Sequence, residues 1–178
     1  RPAADYEKPA KVFSSCGGAA IYRKSILDKI GLFDEAHFAY LEDLDIGYRA
    51  RIYGYHSIYE PSAEVLHFGS ASSGSRYNAW KTSLAASNSV YVIAKNMPLL
   101  QWIWNLPFLL LGFFIKFLFF VKKKMGLCYL GGLKKGLEKS FSREGRSRKI
   151  SFQIRHLNHY FSIQWQLYTN FFRLLKKS

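Results

Sequence analysis

The 178 residues are enough for one ordinary domain and an appendage, and an aromatic content of 17% supplies ample apolar surface for a core. The net charge of +14 averages two unlike segments: residues 1–67 hold 8 Lys/Arg against 10 Asp/Glu, and residues 68–178 hold 18 against 2. This asymmetry excludes uniform surroundings for the whole chain and predicts an acidic soluble part and a basic part that meets polyanions. Cys16 and Cys128 have neither CxxC nor metal-ligand spacing, and we expect both to be reduced and buried.

Short apolar segments separated by turn residues make up the front of the chain. Gly17 and Gly18 either form a plain sharp turn or let the backbone approach a ligand closely, and both interpretations stay open from the residues alone. The pattern of apolar and turn residues predicts these further elements: a short strand at 12–15, a buried strand at 19–22, a helix at 23–30 that stops at Gly31, strands at 56–59 and 63–68, and a Gly/Ser-rich loop at 69–75.

Three carboxylates, Glu42, Asp43 and Asp45, form an acidic cluster before the helical segment 46–53. In one interpretation they only cap that helix, because carboxylates are stabilised at the positive end of the helix dipole. In the other interpretation the three carboxylates have a catalytic or cation-binding role. Like charges this close repel one another, and a cluster that persists despite this repulsion is typical of a general base or a cation site. An apolar stripe predicts that the helix is amphipathic, with Arg49 off the stripe.

The back of the chain is apolar and basic together. The sequence predicts a helix at 76–96 closed by Pro98, a polar basic linker at 142–149 and a last aromatic helix at 156–177. Lys and Arg interleaved with aromatic residues can indicate nucleic acid, but the apolar share here is too continuous for that. We therefore expect anionic lipid headgroups, and no nucleic acid, as the partner of this part.

Residues 99–121 are long and apolar enough to span a bilayer. Pro107 interrupts the segment near its middle, Lys116 lies within it, and basic residues flank both of its ends, so the positive-inside bias gives no orientation. We favour a broken interfacial or shallow re-entrant pair of helices over a true span.

Five segments in fixed order carry a resemblance to a known family: residues 15–24, 30–35, 40–50, 53–55 and 65–72. Together they resemble the acceptor-side half of a family 2 glycosyltransferase with a GT-A fold, of the rhamnosyltransferase-like type. The resemblance is close over residues 17–73 and looser to about residue 136. Members of this family carry a nucleotide-binding half with an Asp-x-Asp metal motif before this region, and none precedes Gly17 here. We therefore expect the chain to be the C-terminal part of a longer enzyme, inactive as this fragment alone.

The resemblance implies roles for particular residues. Asp43 would be the general base of an inverting transfer and Glu42 would shape the catalytic site, while Asp45 either contacts substrate or pairs with Arg49. His67 would ligate a divalent metal, Mn²⁺ or Mg²⁺, whose other ligands belong to the missing half. The further substrate-binding candidates are Gly17, Gly18, Ser72 and Trp80.

The fold expected from these observations is α/β: the acceptor-side half of a Rossmann-like GT-A domain followed by basic, amphipathic, membrane-associated helices. Its expected parts are a partial catalytic domain at 1–74, a helical membrane-associated region at 75–141, and a basic linker with a C-terminal helix at 142–178. The enzyme would move a sugar from a nucleotide-sugar donor to a surface polysaccharide or a polyprenyl-linked glycan at the cytoplasmic face of the membrane. Two alternatives remain, a non-catalytic membrane adaptor derived from a glycosyltransferase half and a small single-span membrane protein. The sequence indicates no oligomeric state.

Overall fold

Helices dominate the computed structural model, which describes residues 7–66 and 77–175. Within those ranges the only strands are β1 (Ala10–Val12) and β2 (Ser57–Tyr59), an antiparallel pair with Lys11 opposite Ile58. The α/β expectation therefore holds only in the coarse sense that helices and a small sheet occur together. A Rossmann-like GT-A half is not evident in the described part of the chain.

The front of the chain contains fewer strands than its sequence suggests. The buried strand predicted at 19–22 is wrong: this segment is irregular, and Ile21 is 100% exposed. Ala19 instead closes a turn, its N–H donating to the Cys16 carbonyl at 3.0 Å. The strand predicted at 63–68 is likewise absent over its described residues, 63–66.

Helix α1 (Lys24–Ile30) ends at Gly31, as expected. Gly31 has φ 87°, a conformation that glycine adopts without strain, and its N–H donates to the Leu27 carbonyl at 2.8 Å. A 3-10 turn at Glu35–His37 then leads to helix α2 (Glu42–Ile52).

Five helices make up the rest of the described chain: α3 (Ala79–Asn96), α4 (Leu99–Lys122), α5 (Gly126–Phe141), α6 (Arg143–Ser147) and α7 (Leu157–Leu175), the last preceded by a 3-10 turn at Ile154–His156. The broken helix pair predicted at 99–121 is wrong, because α4 is one helix that continues through Pro107. Proline removes only one backbone donor, so a helix can continue past it at a local cost. The polar basic linker predicted at 142–149 contains the short helix α6.

Helix α2 lies at the centre of the front part and is buried on two faces. Tyr48 and Ile52 pack against Tyr160 and Ile163 of α7. Ile46 and Ala50 pack in a second cluster with residues of α1. The amphipathic prediction is therefore wrong for this helix: even Arg49, expected on a solvent side, is buried.

Helices α3 and α5 approach each other closely through two glycines of α5. A Cβ on Gly132 would lie 2.4 Å from the Ser83 carbonyl oxygen, and one on Gly136 would lie 2.5 Å from the Ser87 carbonyl oxygen. Side-chain atoms do not approach backbone at such distances, so any larger residue must push the helices apart. Gly131, next in the chain, has no atom within 4 Å of such a Cβ.

We expect Gly136→Ala to lower the free energy of unfolding by about 1–3 kcal/mol, because the added methyl group overpacks the α3–α5 contact. Gly131→Ala is the matched control in the same helix, and it should leave stability unchanged or raise it by up to about 1 kcal/mol through helix propensity. Urea unfolding followed by circular dichroism measures both. Equal effects of the two substitutions would contradict the close contact.

Candidate active site at the start of helix α2

The carboxylate of Asp43 is fixed by backbone donors at the start of α2. Its Oδ2 accepts a hydrogen bond from the Gly17 N–H at 2.9 Å, and its Oδ1 accepts one from the Leu44 N–H at 2.7 Å. Because each oxygen has a second lone pair, the carboxylate is held in one orientation and can still accept a proton or a further hydrogen bond.

The turn that contains Gly17 and Gly18 lies against this carboxylate. The turn interpretation of the two glycines is confirmed, because they are its central residues and both are exposed. A Cβ built on Gly17 would lie 3.3 Å from Glu42 Oε1 and 3.6 Å from Asp43 Oδ2. The structure therefore brings Gly17, Glu42 and Asp43 together, as the sequence predicts, and Gly18 follows directly in the same turn.

Two buried polar atoms beside Asp43 have no hydrogen-bond partner among the described residues: the Tyr22 hydroxyl and Glu42 Oε2. Burial raises the pKa of Tyr22 above its ordinary value, and the nearby charges of Asp43 and Glu42 raise it further. Tyr22 thus stays a neutral phenol that can donate a hydrogen bond. Buried polar groups normally have partners, so an unpartnered donor and acceptor beside a fixed carboxylate suit a polar ligand.

The loop that enters α2 has a strained backbone. Phe38, Tyr40 and Leu41 have φ values of 59°, 67° and 69°, in the left-handed region that bulky residues rarely adopt. Three such residues within four positions cost several kcal/mol unless the surroundings impose them, and such strain concentrates at functional sites.

Asn88 of α3 holds this loop in place. Its side-chain nitrogen lies 2.8 Å from the His37 carbonyl oxygen, 2.8 Å from that of Ala39 and 2.9 Å from that of Tyr40. The Asn88 oxygen in turn accepts a hydrogen bond from Lys139 Nζ of α5 at 3.0 Å. The α3–α5 pair therefore supplies the contacts that offset the strain.

Trp80, predicted to bind substrate, lies beside the same loop. Its ring contacts the rings of Phe38 and Tyr40 edge-on at 6.2 and 6.1 Å between centroids, and 51% of the residue is exposed. Phe38 and Trp80 are exposed and Tyr40 is half-buried, and the three rings form an aromatic surface next to the acidic cluster.

Asp45 belongs to an ionic network formed by the buried residues Asp34, Asp45, Arg49 and Lys95 and by the half-exposed Arg148. Lys95 Nζ lies 2.7 Å from Asp34 Oδ2 and 2.8 Å from Asp45 Oδ2, and so bridges the two carboxylates. Arg49 completes the pairing of Asp45 with two hydrogen bonds at 3.0 and 2.8 Å, and Arg148 pairs with Asp34. Asp45 itself is 0% exposed. Of its two predicted roles, the pairing with Arg49 is confirmed.

The network has the ligand atoms of a metal site, but the positive charges around them disfavour a metal ion. One ligand atom each from Asp34, His37 and Asp45 lies within 4.8 Å of the others. The ammonium of Lys95 already lies between the carboxylates, and two guanidinium groups pair with the same carboxylates. A divalent ion there would meet three cations at close range, so these residues do not fit a metal.

Cations also set the ionisation of this network. Burial alone would raise the pKa of Asp34, but the hydrogen bond and charge of Lys95 outweigh it and hold that pKa well below its usual range. Burial opposes the ionisation of Asp45 too, whereas contacts with His37, Arg49 and Lys95 lower its pKa. Carboxylates with lowered pKa values stabilise the fold fully above about pH 4 and lose that contribution as the pH falls through their folded-state pKa values.

We expect Lys95→Met to lower the free energy of unfolding by about 3–5 kcal/mol at pH 7, because two buried carboxylates lose their shared cation. The penalty should shrink below about pH 4, where protonated carboxyl groups need no cation. Chemical denaturation at several pH values measures both effects. Lys134→Met is the control: Lys134 pairs with Glu138 on the exposed surface of α5, so the change should be small at every pH. A Lys95→Met penalty that does not vary with pH would contradict the ionic account.

Two predicted site residues, His67 and Ser72, lie outside the described residues, and their roles stay predictions. Conversely, the sequence interpretation missed Tyr22, Asn88 and Lys95. The available signal was the set of polar residues within the otherwise apolar α3 helix, where Asn88 and Lys95 lie two turns apart. Both cysteines are free, as expected, but neither is buried: Cys16 is exposed and Cys128 is half-buried.

Part of the chain is similar to two curated proteins of Mycobacterium tuberculosis, from strains CDC 1551 / Oshkosh and ATCC 25618 / H37Rv. Each is described as N-acetylglucosaminyl-diphospho-decaprenol L-rhamnosyltransferase. The identity is 45% over 58 residues, which is 33% of this chain, and the chain spans only 19% of the length of each relative. No protein-family model and no solved structure matches the chain. The similarity supports a glycosyltransferase-like relationship, which confirms the resemblance at that coarse level.

Proposed function

We propose that the chain supplies the acceptor side of an inverting glycosyltransferase, with Asp43 as the general base. The observation that carries the proposal is the Asp43 carboxylate, fixed by the N–H groups of Gly17 and Leu44 beside the unpartnered polar atoms of Tyr22 and Glu42. The similarity to rhamnosyltransferases supports the reaction class.

In this reaction the acceptor hydroxyl gives its proton to Asp43 as its oxygen bonds to the anomeric carbon of the donor sugar. The bond from that carbon to the nucleoside diphosphate breaks, and the diphosphate leaves with the electron pair. Tyr22, a neutral donor, and Glu42, an acceptor, suit the orientation of the acceptor sugar by hydrogen bonds. The exposed rings of Phe38 and Trp80, with the half-buried ring of Tyr40, suit an apolar sugar face, which places the acceptor beside the base.

The donor and acceptor classes follow from the same proposal. The donor is a nucleotide sugar of the rhamnose type, and the acceptor is a glycan carried on a polyprenyl diphosphate, since the name of the relatives contains both a rhamnosyl group and a diphospho-decaprenol. A divalent cation, Mn²⁺ or Mg²⁺, with His67 among its ligands would neutralise the leaving diphosphate. The GT-A fold and membership of family 2 belong to the proposal as well.

The test uses the native protein purified from its source. In it, we expect Asp43→Asn to lower turnover by about 10²-fold or more while donor affinity changes little, because an amide cannot take up the acceptor proton. A steady-state assay with a nucleotide sugar and a lipid-linked acceptor measures this. Asp28→Asn, an exposed carboxylate change on α1, is the matched control and should leave turnover unchanged. Normal turnover by the Asp43→Asn variant would contradict the assignment of Asp43 as the general base. If the unmodified protein showed no turnover, the non-catalytic adaptor would be favoured.

The second part of the proposal places the protein at a membrane through α4. This helix is long and apolar enough to cross a bilayer: its most apolar window has a mean hydropathy of 1.9 and is only 6% buried. The polarity of α4 is inverted relative to a helix of a water-soluble core, since its buried residues are Gln101 and Asn105 while most of its leucines and phenylalanines are exposed. An apolar outer surface this large is typical of contact with lipid.

The amides on the inner side of α4 are satisfied by α7. Asn105 Nδ2 donates to Gln164 Oε1 at 2.8 Å, and Gln164 Nε2 donates back to Asn105 Oδ1 at 3.0 Å. Such reciprocal pairs hold helices together where the surroundings provide no hydrophobic drive between them. Lys122, Lys123 and Lys124 at the end of α4 suit the anionic headgroups of a cytoplasmic leaflet.

We expect the double substitution Leu111→Glu and Ile115→Glu on the outer surface of α4 to reduce binding to anionic phospholipid vesicles about tenfold or more, since each charge in the hydrocarbon region costs about 2–3 kcal/mol. Vesicle flotation measures the bound fraction. Ile58→Glu, at an exposed apolar position on β2, is the control and should bind like the unmodified chain. Unchanged binding of the α4 variant would place the membrane contact elsewhere.

A further inference from the structure

A groove of about 670 Å³ runs between the first two turns of α4 and the first half of α7. Leu100 and Trp104 line it from α4, and Phe161 and Trp165 line it from α7. The lining residues of α7 begin at Leu157 and end at Tyr168, which corresponds to about 17 Å along a helix. The groove is therefore long and narrow, with a volume in the usual range of ligand sites.

The two amide side chains that line the groove, Gln101 and Gln164, are already paired within the protein. Gln101 Nε2 donates to the Tyr160 carbonyl oxygen at 2.8 Å, and Gln101 Oε1 accepts a weak hydrogen bond from the Tyr48 hydroxyl at 3.4 Å. The Gln164 amide is paired with Asn105. A ligand in the groove consequently meets carbon surface, so its bound part is a hydrocarbon chain.

The groove is adjacent to the helix that carries the acidic cluster. Tyr48, which contacts Gln101, lies in α2 five residues after Asp43, a rise of about 7.5 Å along the helix. With the length of the tyrosine side chain added, the base lies within roughly 20 Å of the groove's edge. A sugar diphosphate is long enough to extend from the edge of the groove towards Asp43.

We propose that this α4–α7 groove binds the first isoprene units of the acceptor's polyprenyl tail. The inference rests on the proposed function, since it assigns a site for the lipid part of the same acceptor. Its position beside α2 favours a polyprenyl diphosphate over an ordinary phospholipid, because only the former has a sugar to deliver to Asp43. The groove is partly open to the outside, so the rest of a long tail can continue into the bilayer.

The test uses the protein in phosphatidylcholine nanodiscs that contain a polyprenyl diphosphate with a photoreactive diazirine near its diphosphate end. After irradiation, mass spectrometry should find the label on peptides from the first turns of α4 and the first half of α7. Excess unlabelled polyprenyl diphosphate should abolish this labelling, whereas phosphatidylglycerol at the same mole fraction should leave the labelling unchanged. Label elsewhere in the chain, or equal competition by both lipids, would overturn the assignment.

Two groove variants and one matched control complete the test. Trp165→Glu and Phe161→Glu each place a carboxylate in the groove and should lower labelling about tenfold or more. Phe172→Glu changes a residue of the same helix outside the groove and should keep labelling within about twofold. Trp165 and Phe172 are 71% and 56% exposed, so neither substitution disturbs a core, and circular dichroism checks the fold of each variant. Equal labelling of groove variants and control would reject a specific tail site.

Activity separates this inference from the proposed function. If the groove binds the tail, Trp165→Glu should raise KM for a long-chain acceptor and leave kcat and KM for a short water-soluble acceptor unchanged. Transfer to the short acceptor that depends on Asp43, together with no labelling of the groove, would reject only the tail site. Labelling of the groove with full turnover by Asp43→Asn would reject only the base.

Discussion

The fold of the front part depends on one ammonium group, that of Lys95, which lies between the carboxylates of Asp34 and Asp45. Each of the three residues comes from a different element: Asp34 precedes the 3-10 turn, Asp45 lies in α2 and Lys95 lies in α3. Burial of any one charge alone would cost several kcal/mol, so the three can be buried only together. The shared ion pair therefore fixes α2 and the loop before it against α3.

The rigid attachment of α2 explains how its first turn can carry strain and charge. Tyr48 and Ile52 bind α2 to α7, and Ile46 binds it to α1, so the helix cannot shift when the loop before it is strained. Asn88 then holds that loop through three carbonyl oxygens. None of these contacts uses the Asp43 carboxylate, which the N–H groups of Gly17 and Leu44 hold in one orientation. A catalytic carboxylate needs this kind of fixed orientation.

Local signals in the sequence were sufficient for local structure. Gly31 predicts the end of α1, the two glycines after Cys16 predict a turn, and the pairing of Asp45 with Arg49 follows from their spacing of four residues. The role of Lys95 could not be predicted, since its partners lie 50 and 61 positions away and a lysine in a long helix usually faces water. The prediction of a buried strand at 19–22 was wrong for a related reason: apolar residues predict burial, but a strand also needs a neighbouring strand to pair with.

The two halves of the described chain solve the burial of polar groups in different ways. The front part buries charges and balances them with one another, whereas α4 and α7 bury neutral amides, and α4 leaves most of its hydrocarbon side chains exposed. The neutral amides of α4 and α7 need no counterion, which suits contact with lipid. The contact between Tyr48 and Gln101 lies where these two regions meet. An acceptor with a hydrocarbon tail and a charged sugar diphosphate has the same division of polarity, so a site for it is best placed at this boundary.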